Sequence, residues 1–472
     1  MTLGKKTKIV CTIGPVTKSA EMLEKLISAG MNVVRLNFSH GDFATHQGVV
    51  DATRKIMADT GKTVAILQDL SGPKIRIGKF KDGKIVLKKD QTFTLTTDDC
   101  VGDETRVFIN YANLPKEVKA GGTIMLQDGT KRLEIVEVRG NDIITTVKVG
   151  GTLGDHRGVN VPGASLSISS LTDKDKADLE FGIKNHVDYV ALSFVRRAED
   201  IVELRALLKE AGSTARIIAK IETPEALGNI DDIISVSDGI MVARGDLAIE
   251  IPAEEVPLVQ KMIIHKCNSI GKPVITATQM LESMLESPVP TRAEVSDIAN
   301  AIIDGTDAIM LSEETTLGKF PIEAVEIMTR VANRIEKEVY TRDTIAEYEE
   351  SHGVSDVVSQ SAVRMAHAVN AKLIVALTRS GRTARMIARY KPAEAILALS
   401  DAPENVNKMM LTFGCFPMLA PTFKSNDEIM DIVRKVTMER KLAKKGDKVI
   451  IVAGMPFGMP GGETNLILVE VL

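Results

Sequence analysis

The amino-acid sequence predicts an α/β fold: a (β/α)8 barrel of the TIM type carrying an inserted all-β lid domain, followed by a C-terminal α/β domain. Three observations lead there. Eight short β-type runs alternate with helical patterns, the count that closes such a barrel. Residues 71–170 interrupt them with apolar–polar alternation and Gly-containing turns, the texture of hairpins. A second strand–helix alternation follows a polar stretch. The expected boundaries are residues 1–70 and 171–340 for the barrel, 71–170 for the lid and 350–472 for the C-terminal domain. An open doubly wound sheet shares this periodicity; the number eight favours the barrel.

The barrel runs are Lys8–Gly14, Asn32–Phe38, Thr63–Leu70, Tyr189–Val195, Arg216–Glu222, Gly239–Asp246, Pro273–Met280 and Ala308–Glu313. Helical patterns between them include Ala20–Ala29, Lys174–Asn185, Asp200–Glu210, Val256–Ser269 and Arg292–Asp304. Thr172 and Thr291 fit as N-caps, because a side-chain oxygen there can accept from an orphan backbone N–H; Gly30 and Gly271 fit as stops. In the insert, Asp82-Gly83, Gly121-Gly122, Asp128-Gly129 and Gly150-Gly151 mark turns. A domain hung in the third βα loop overhangs the barrel mouth and can exclude water when it closes. Beyond the polar stretch, strands are expected at Lys372–Leu377, Ala395–Leu399, Lys448–Ala453 and Asn465–Val471. Helices are expected around Val357–Ala368, Thr383–Arg389 and Asp427–Lys441.

At 472 residues the chain exceeds one ordinary domain. Its 44% hydrophobic and 26% charged residues belong to a protein that buries large cores. A net charge of −4 and a pI near 6.1 argue against nucleic-acid or membrane-surface partners. Cys11, Cys100, Cys267 and Cys415 form no CxxC pair, so neither a zinc site nor a disulfide framework is implied. No run reaches the ~20 apolar residues that cross a bilayer, and the charged N-terminus lacks a secretory core. The expected location is cytoplasmic.

Functional residues of such barrels sit where the strands end. There the sequence places Lys220-Ile221-Glu222, Arg244-Gly245-Asp246 and Thr276-Ala277-Thr278-Gln279. Adjacent strands lie about 4.8 Å apart, so Glu222 and Asp246 can share one ion. Two carboxylates completed by water and substrate oxygens suit Mg2+ or Mn2+. Lys220 shares a strand face with Glu222 and is placed to neutralise a phosphoryl group or to assist at a carbonyl. Arg35 offers a planar fork to carboxylate or phosphate. Asn37, Ser39 and Asp69 can form an oxygen-lined cation pocket, into which the ammonium of Lys74 can reach in place of a metal ion. Taken singly, Arg35, Asn37 and Ser39 are each more often a surface or capping residue than a ligand. Their convergence on one mouth marks a site.

The runs Asn37-Phe38-Ser39-His40-Gly41, Lys220-Ile221-Glu222, Met241–Asp246, Thr276–Leu281 and Met310–Glu314 resemble those of bacterial-type pyruvate kinases, from about Lys6 to Leu472 in three-domain order. The resemblance implies phosphoryl transfer from phosphoenolpyruvate to ADP, giving pyruvate and ATP at the end of glycolysis, usually in a homotetramer. It implies that Glu222 and Asp246 hold Mg2+ and that Lys220 and Arg35 neutralise the moving group. Gly245, Asp246 and Thr278 would bind the substrate carboxylate. Thr278 also lies where the family protonates the enolate, with Ser312 and Glu314 nearby. Asn37, His40, Arg76 and Lys174 match nucleotide-binding positions, and Asn37, Ser39, Asp69 and Leu70 a monovalent-cation pocket. Many members have Glu where Lys74 stands and Thr where Leu70 stands, and they require K+. An ammonium fixed at Lys74 puts the same charge there, so K+ is expected to be dispensable. Glu313 departs too, standing where small residues are common.

In the third domain, Thr378-Arg379-Ser380-Gly381-Arg382-Thr383 follows a strand and opens a helix. Its backbone N–H groups, hydroxyls and two arginines can cradle a phosphate. The resemblance implies a phosphorylated effector here, a sugar phosphate or AMP. The facing loop from Met455 to Thr464 lacks Trp and Arg and carries Glu463, which favours a monophosphate over fructose 1,6-bisphosphate. Two other functions share parts of the pattern. An aldolase- or lyase-type barrel acting on pyruvate enolate would not need Arg76 and Lys174 for a nucleotide. A catalytically silent sugar-phosphate sensor would not need Lys220, Glu222 and Asp246.

Overall fold

The structure, a computed structural model, describes residues 3–164, 166–341, 353–422, 426–455 and 463–472. Strands β1 (Lys8–Thr12), β2 (Val33–Asn37) and β3 (Ala65–Asp69) open a barrel. The insert then supplies β4 (Lys84–Leu87), β5 (Thr92–Thr96), β6 (Arg106–Phe108), β7 (Thr123–Leu126), β8 (Lys131–Arg139), β9 (Asp142–Val149), β10 (Gly151–Gly154) and β11 (Val159–Asn160). The barrel resumes with β12 (Tyr189–Leu192), β13 (Arg216–Ile221), β14 (Gly239–Ala243), β15 (Val274–Ala277) and β16 (Ala308–Leu311). All eight barrel strands are parallel, and β16 closes on β1 with Lys8 opposite Ala308 and Cys11 opposite Leu311.

Strand parity builds the site. Val10, Val33, Leu67, Ile218, Met241, Ile275 and Met310 fill the barrel interior. Their neighbours, such as Cys11, Val34, Ile66, Ile217, Val242 and Ile309, face outward into the helical layer. Two residues further along the inward faces stand Thr12, Arg35, Asp69, Lys220, Ala243, Ala277 and Ser312. Apolar layers thus end in a polar one at the C-terminal rim. The opposite floor is plugged by Met410 and Leu411, which join the interior cluster from the C-terminal domain.

The lid has a core of its own, including Phe93, Leu95, Ile124, Leu133, Ile143 and Val147, and two sheets ordered β11-β7-β8-β9-β5-β6 and β10-β4. The C-terminal domain is a sheet ordered β19-β18-β17-β20-β21, from β17 (Leu373–Leu377), β18 (Ala395–Ser400), β19 (Cys415–Leu419), β20 (Lys448–Ala453) and β21 (Leu466–Val471). Only β21 runs antiparallel there.

The expected helix signals operate. Gly30 ends Ala20–Ala29 with φ of 130°, a conformation only glycine takes freely, and its N–H donates to Leu26 O. Thr172 and Thr291 both form capping boxes, with Asp175 and Glu294. Thr291→Ala is expected to cost about 1 kcal/mol, read as a lower midpoint for unfolding of the barrel. An unchanged midpoint would show that packing alone holds helix Arg292–Ile303.

Three strands, β12, β14 and β15, stop three residues earlier than the sequence pattern implies, β12 at Leu192. β14 ends at Ala243, and Arg244–Glu250 is a short helix instead. β15 ends at Ala277 because Thr278 and Gln279 take φ of 70° and 55°. One side chain explains both turns. Arg244 donates through Nε to Ala277 O at 3.2 Å and through Nη2 to Thr278 O at 2.6 Å, while Nη1 lies 2.7 Å from Asp297 Oδ1. No helix among the described residues is long and apolar enough to cross a membrane.

Candidate active site

The polar rim is knit together through Asp69. Its Oδ2 accepts from Arg35 Nε at 2.6 Å, and Lys220 Nζ stands 3.4 Å from its Oδ1. Arg35 Nη1 also donates to Thr12 Oγ1 at 2.7 Å. Lys220 Nζ lies 2.9 Å from Glu222 Oε1 and donates to Ser193 Oγ at 2.6 Å. Glu222 Oε2 accepts from the Phe194 N–H at 2.6 Å. All four charged residues are buried.

Burial opposes each charge, and the partners decide the outcome. At Asp69 burial is overcome by Lys220 and Arg35, which hold the carboxyl below its usual range. At Lys220 burial is overcome by Asp69 and Glu222, so the ammonium is raised and stays protonated. Glu222 goes the other way. Burial raises it and Asp246 adds to the rise, against opposition from Lys220 and the Phe194 N–H. A buried carboxylate left under-neutralised beside a second carboxylate fits a divalent cation, with the remaining positions open to water and substrate oxygens.

The ends of β14 and β15 meet at Thr278. Its Oγ1 accepts from the Gly245 N–H at 2.8 Å and donates to Ala277 O at 2.6 Å. Positive φ at a β-branched residue is costly and persists where surrounding structure enforces it, commonly at functional sites. Behind it, Glu314 accepts from the N–H groups of Leu281 (3.1 Å) and Ser312 (2.7 Å), and burial raises its carboxyl. Glu313 is exposed at the first position of helix Glu313–Thr316, where a negative charge meets the positive end of the peptide dipoles.

Lys174 spans the exits of β2 and β3: its Nζ donates to Phe38 O at 2.8 Å and lies 3.4 Å from Ser71 Oγ and 2.5 Å from Asp178 Oδ2. Asn37 Oδ1 accepts from the Ser39 N–H, and Ser39 and His40 are exposed. Arg76 belongs to the lid, where Nη1 donates to His156 O at 3.1 Å. Among the described residues no hydrogen bond or ion pair joins Arg76 to the barrel set. The ammonium of Lys74 differs from its expected place. It stands 3.9 Å from Asp246 Oδ1 rather than against Asp69, whose two oxygens already serve Arg35 and Lys220. The Leu70 carbonyl is likewise taken, by the Ser193 hydroxyl at 2.7 Å.

In the C-terminal domain, Gly381 has φ of 78° and precedes helix Arg382–Ala388. The Thr378 N–H donates to Leu399 O at 3.0 Å. Arg379 Nε lies 3.9 Å from Asp401 Oδ1, Ser380 O accepts from Arg216, and Thr383 Oγ1 is 3.0 Å from Thr464 Oγ1. Of the facing loop, residues 456–462 lie outside the described residues. Sequence reasoning passed over Thr12, Ser193 and Phe194. The first two carry the same strand-end signal as Arg35 and Lys220, whereas Phe194 acts through its backbone, which no residue type announces.

The model of the pyruvate kinase barrel domain matches residues 4–325, and that of the pyruvate kinase alpha/beta domain matches residues 356–470. The chain is 44% identical over 471 residues to a pyruvate kinase of Clostridium acetobutylicum, covering 99% of both chains. It is 45% identical over 465 residues to a pyruvate kinase of Thermotoga maritima, covering 98% of this chain and 99% of that one. The crystal structure of a pyruvate kinase from Cryptosporidium parvum matches with a TM-score of 0.92 at 37% identity, covering 99% of this chain and 96% of that one. With its closed barrel, lid and C-terminal sheet, the chain belongs to the pyruvate kinase family and is a phosphotransferase.

Proposed function

We propose that the protein transfers the phosphoryl group of phosphoenolpyruvate to ADP, giving pyruvate and ATP, as the closing step of glycolysis in the cytoplasm. The observation that carries this reading is Lys220, buried and permanently charged between Glu222 and Asp69 at the strand ends. A phosphoryl group in transfer spreads negative charge over its oxygens and needs positioning and cations more than covalent help. Lys220 and Arg35, flanking Asp69, supply fixed positive charge. Glu222 and Asp246 would hold Mg2+ (or Mn2+), which would supply positive charge to the phosphoryl group.

Thr278 and the N–H groups of Gly245 and Asp246 suit the substrate carboxylate. An incoming oxygen can take over the Gly245 N–H from Thr278 Oγ1, and the Thr278 hydroxyl donates to the substrate once it gives up Ala277 O. The same hydroxyl, backed by Ser312 and Glu314, lies on the path by which the enolate gains its proton. Lys220, with its raised pKa, is unsuited to that step. Asn37, His40 and Lys174 serve the nucleotide, and Arg76 joins them when the lid closes. The ammonium of Lys74 contributes a monovalent charge at the mouth, so K+ is not required. The resemblance supports a homotetramer and a phosphorylated effector, AMP or a sugar phosphate, at Thr378–Thr383.

The test is pyruvate formation from phosphoenolpyruvate and Mg2+, with and without ADP, in buffer free of K+. The expected result is ADP-dependent turnover with no further gain when K+ is added. Silence relieved by K+ would remove the role given to Lys74 and keep the phosphotransfer; silence in both buffers would overturn the reading.

A further inference from the structure

A cavity of about 320 Å³ lies between the barrel floor and the C-terminal domain. One wall comes from the starts of three successive barrel strands: Arg216 opens β13, Asp238 precedes β14 and Lys272 precedes β15. The other wall is the helix Arg382–Ala388, which brings Arg382 and Arg385, with Arg389 at its end. The walls are in close contact, since a Cβ on Gly271 would stand 3.1 Å from Met386 Sδ.

Five cationic side chains therefore face one acid, and that acid is committed elsewhere. Asp238 Oδ2 accepts from Arg205 Nη2 and from the Ile217 N–H, each at 2.9 Å. Arg389 has its own carboxylate, Asp356 Oδ1 at 2.7 Å. Three others lean on carbonyl oxygens: Arg216 on Lys408 O at 3.0 Å, Arg385 on Ser380 O at 3.3 Å and Lys272 on Ser235 O at 3.2 Å. Among the described residues, Arg216, Lys272, Arg382 and Arg385 form no ion pair within 4.0 Å. Burial and the neighbouring Arg216 push Arg385 down to about 9. Like charges held this close in a partly enclosed space favour an anion between them.

We infer that this cavity binds a phosphate group, free or as a phosphomonoester, that bridges the barrel floor and the C-terminal domain. Guanidinium forks match phosphate oxygens, and the volume sits at the small end of ligand sites, roughly 300–1,000 Å³. Of the hydroxyl-bearing loop that opens the same helix, Arg382 alone lines the cavity, so the cavity lies beside that loop rather than in it. The strands that begin at this cavity end at the active-site rim: β13 leads to Glu222, β14 to Arg244 and β15 to Thr278.

The test is calorimetric titration of the full chain with inorganic phosphate and, separately, with glycerol 3-phosphate. Saturable binding is expected, weakened by about tenfold or more in Arg382→Gln and in Lys272→Gln, since each removes one charged contact. Lys272→Arg should bind as the unaltered chain does. Tighter binding of the ester assigns the pocket to an esterified metabolite and tighter binding of phosphate to the free ion; both support the site. Arg382 is exposed, so its variant stays informative even if Lys272→Gln unfolds. The inference is overturned by an absence of saturable binding. It is overturned equally by binding that ignores Arg382→Gln, which would place the phosphate at the barrel mouth, or by binding that a folded Lys272→Gln leaves unchanged, which would place it on the loop.

Discussion

Lys220→Met is expected to lower kcat for pyruvate formation by about 10³-fold or more, the scale on which a cation placed at a transferring phosphoryl group acts. Methionine keeps the stem and removes only the charge, so kcat and kcat/KM should fall together, as they do when a contact made in the transition state is lost. The same substitution has a structural cost. Asp69 keeps Arg35, but Glu222 retains only the Phe194 N–H as a direct partner. Breaking a buried pair on one side costs about 3–5 kcal/mol, so the thermal midpoint must be read beside the rate. Lys220→Arg separates the two effects. It restores charge to Glu222 and Asp69, and hence much of the midpoint, yet its fork cannot keep the ammonium's place against Ser193 Oγ. A loss of rate below about tenfold in Lys220→Met, with a lowered midpoint, would make Lys220 a structural counter-ion and nothing more.

What the sequence makes legible here is what local chemistry determines. Thr172 and Thr291 announce helix starts because a hydroxyl followed three residues later by an acid closes a capping box by itself. The barrel strands announce themselves through apolar runs, and parity then puts Arg35, Asp69 and Lys220 on the inward face. The early ends of β14 and β15 were not readable, because Arg244 forces both turns through contacts with Ala277, Thr278 and Asp297. β19 escaped because Pro417 sits within it, tolerable only because this strand lies at the sheet edge. The place of Lys74 depended on which oxygens of Asp69 were already in use. The floor cavity had no motif, since Arg216, Lys272 and Arg385 meet only once two domains have docked.

Glu222→Gln tests the other half of the rim. The amide keeps the shape and can still accept from the Phe194 N–H, but one of the two carboxylates facing the cation position is gone. The Mg2+ concentration for half-maximal activity is expected to rise by about 10²-fold, at or beyond the upper end of what loss of a supporting ligand costs. Mn2+ binding, followed by electron paramagnetic resonance without substrate, should weaken in step and does not depend on turnover. Asp246→Asn should do the same. Combining the two should cost less than the sum, because both groups act on one ion. A different pattern would redraw the site. If Mn2+ binding survived Glu222→Gln and failed only in Asp246→Asn, Glu222 would be the counter-ion of Lys220 alone. The cation would then rest on Asp246, and Lys74, 3.9 Å from that carboxylate, would be its competitor rather than a substitute for K+.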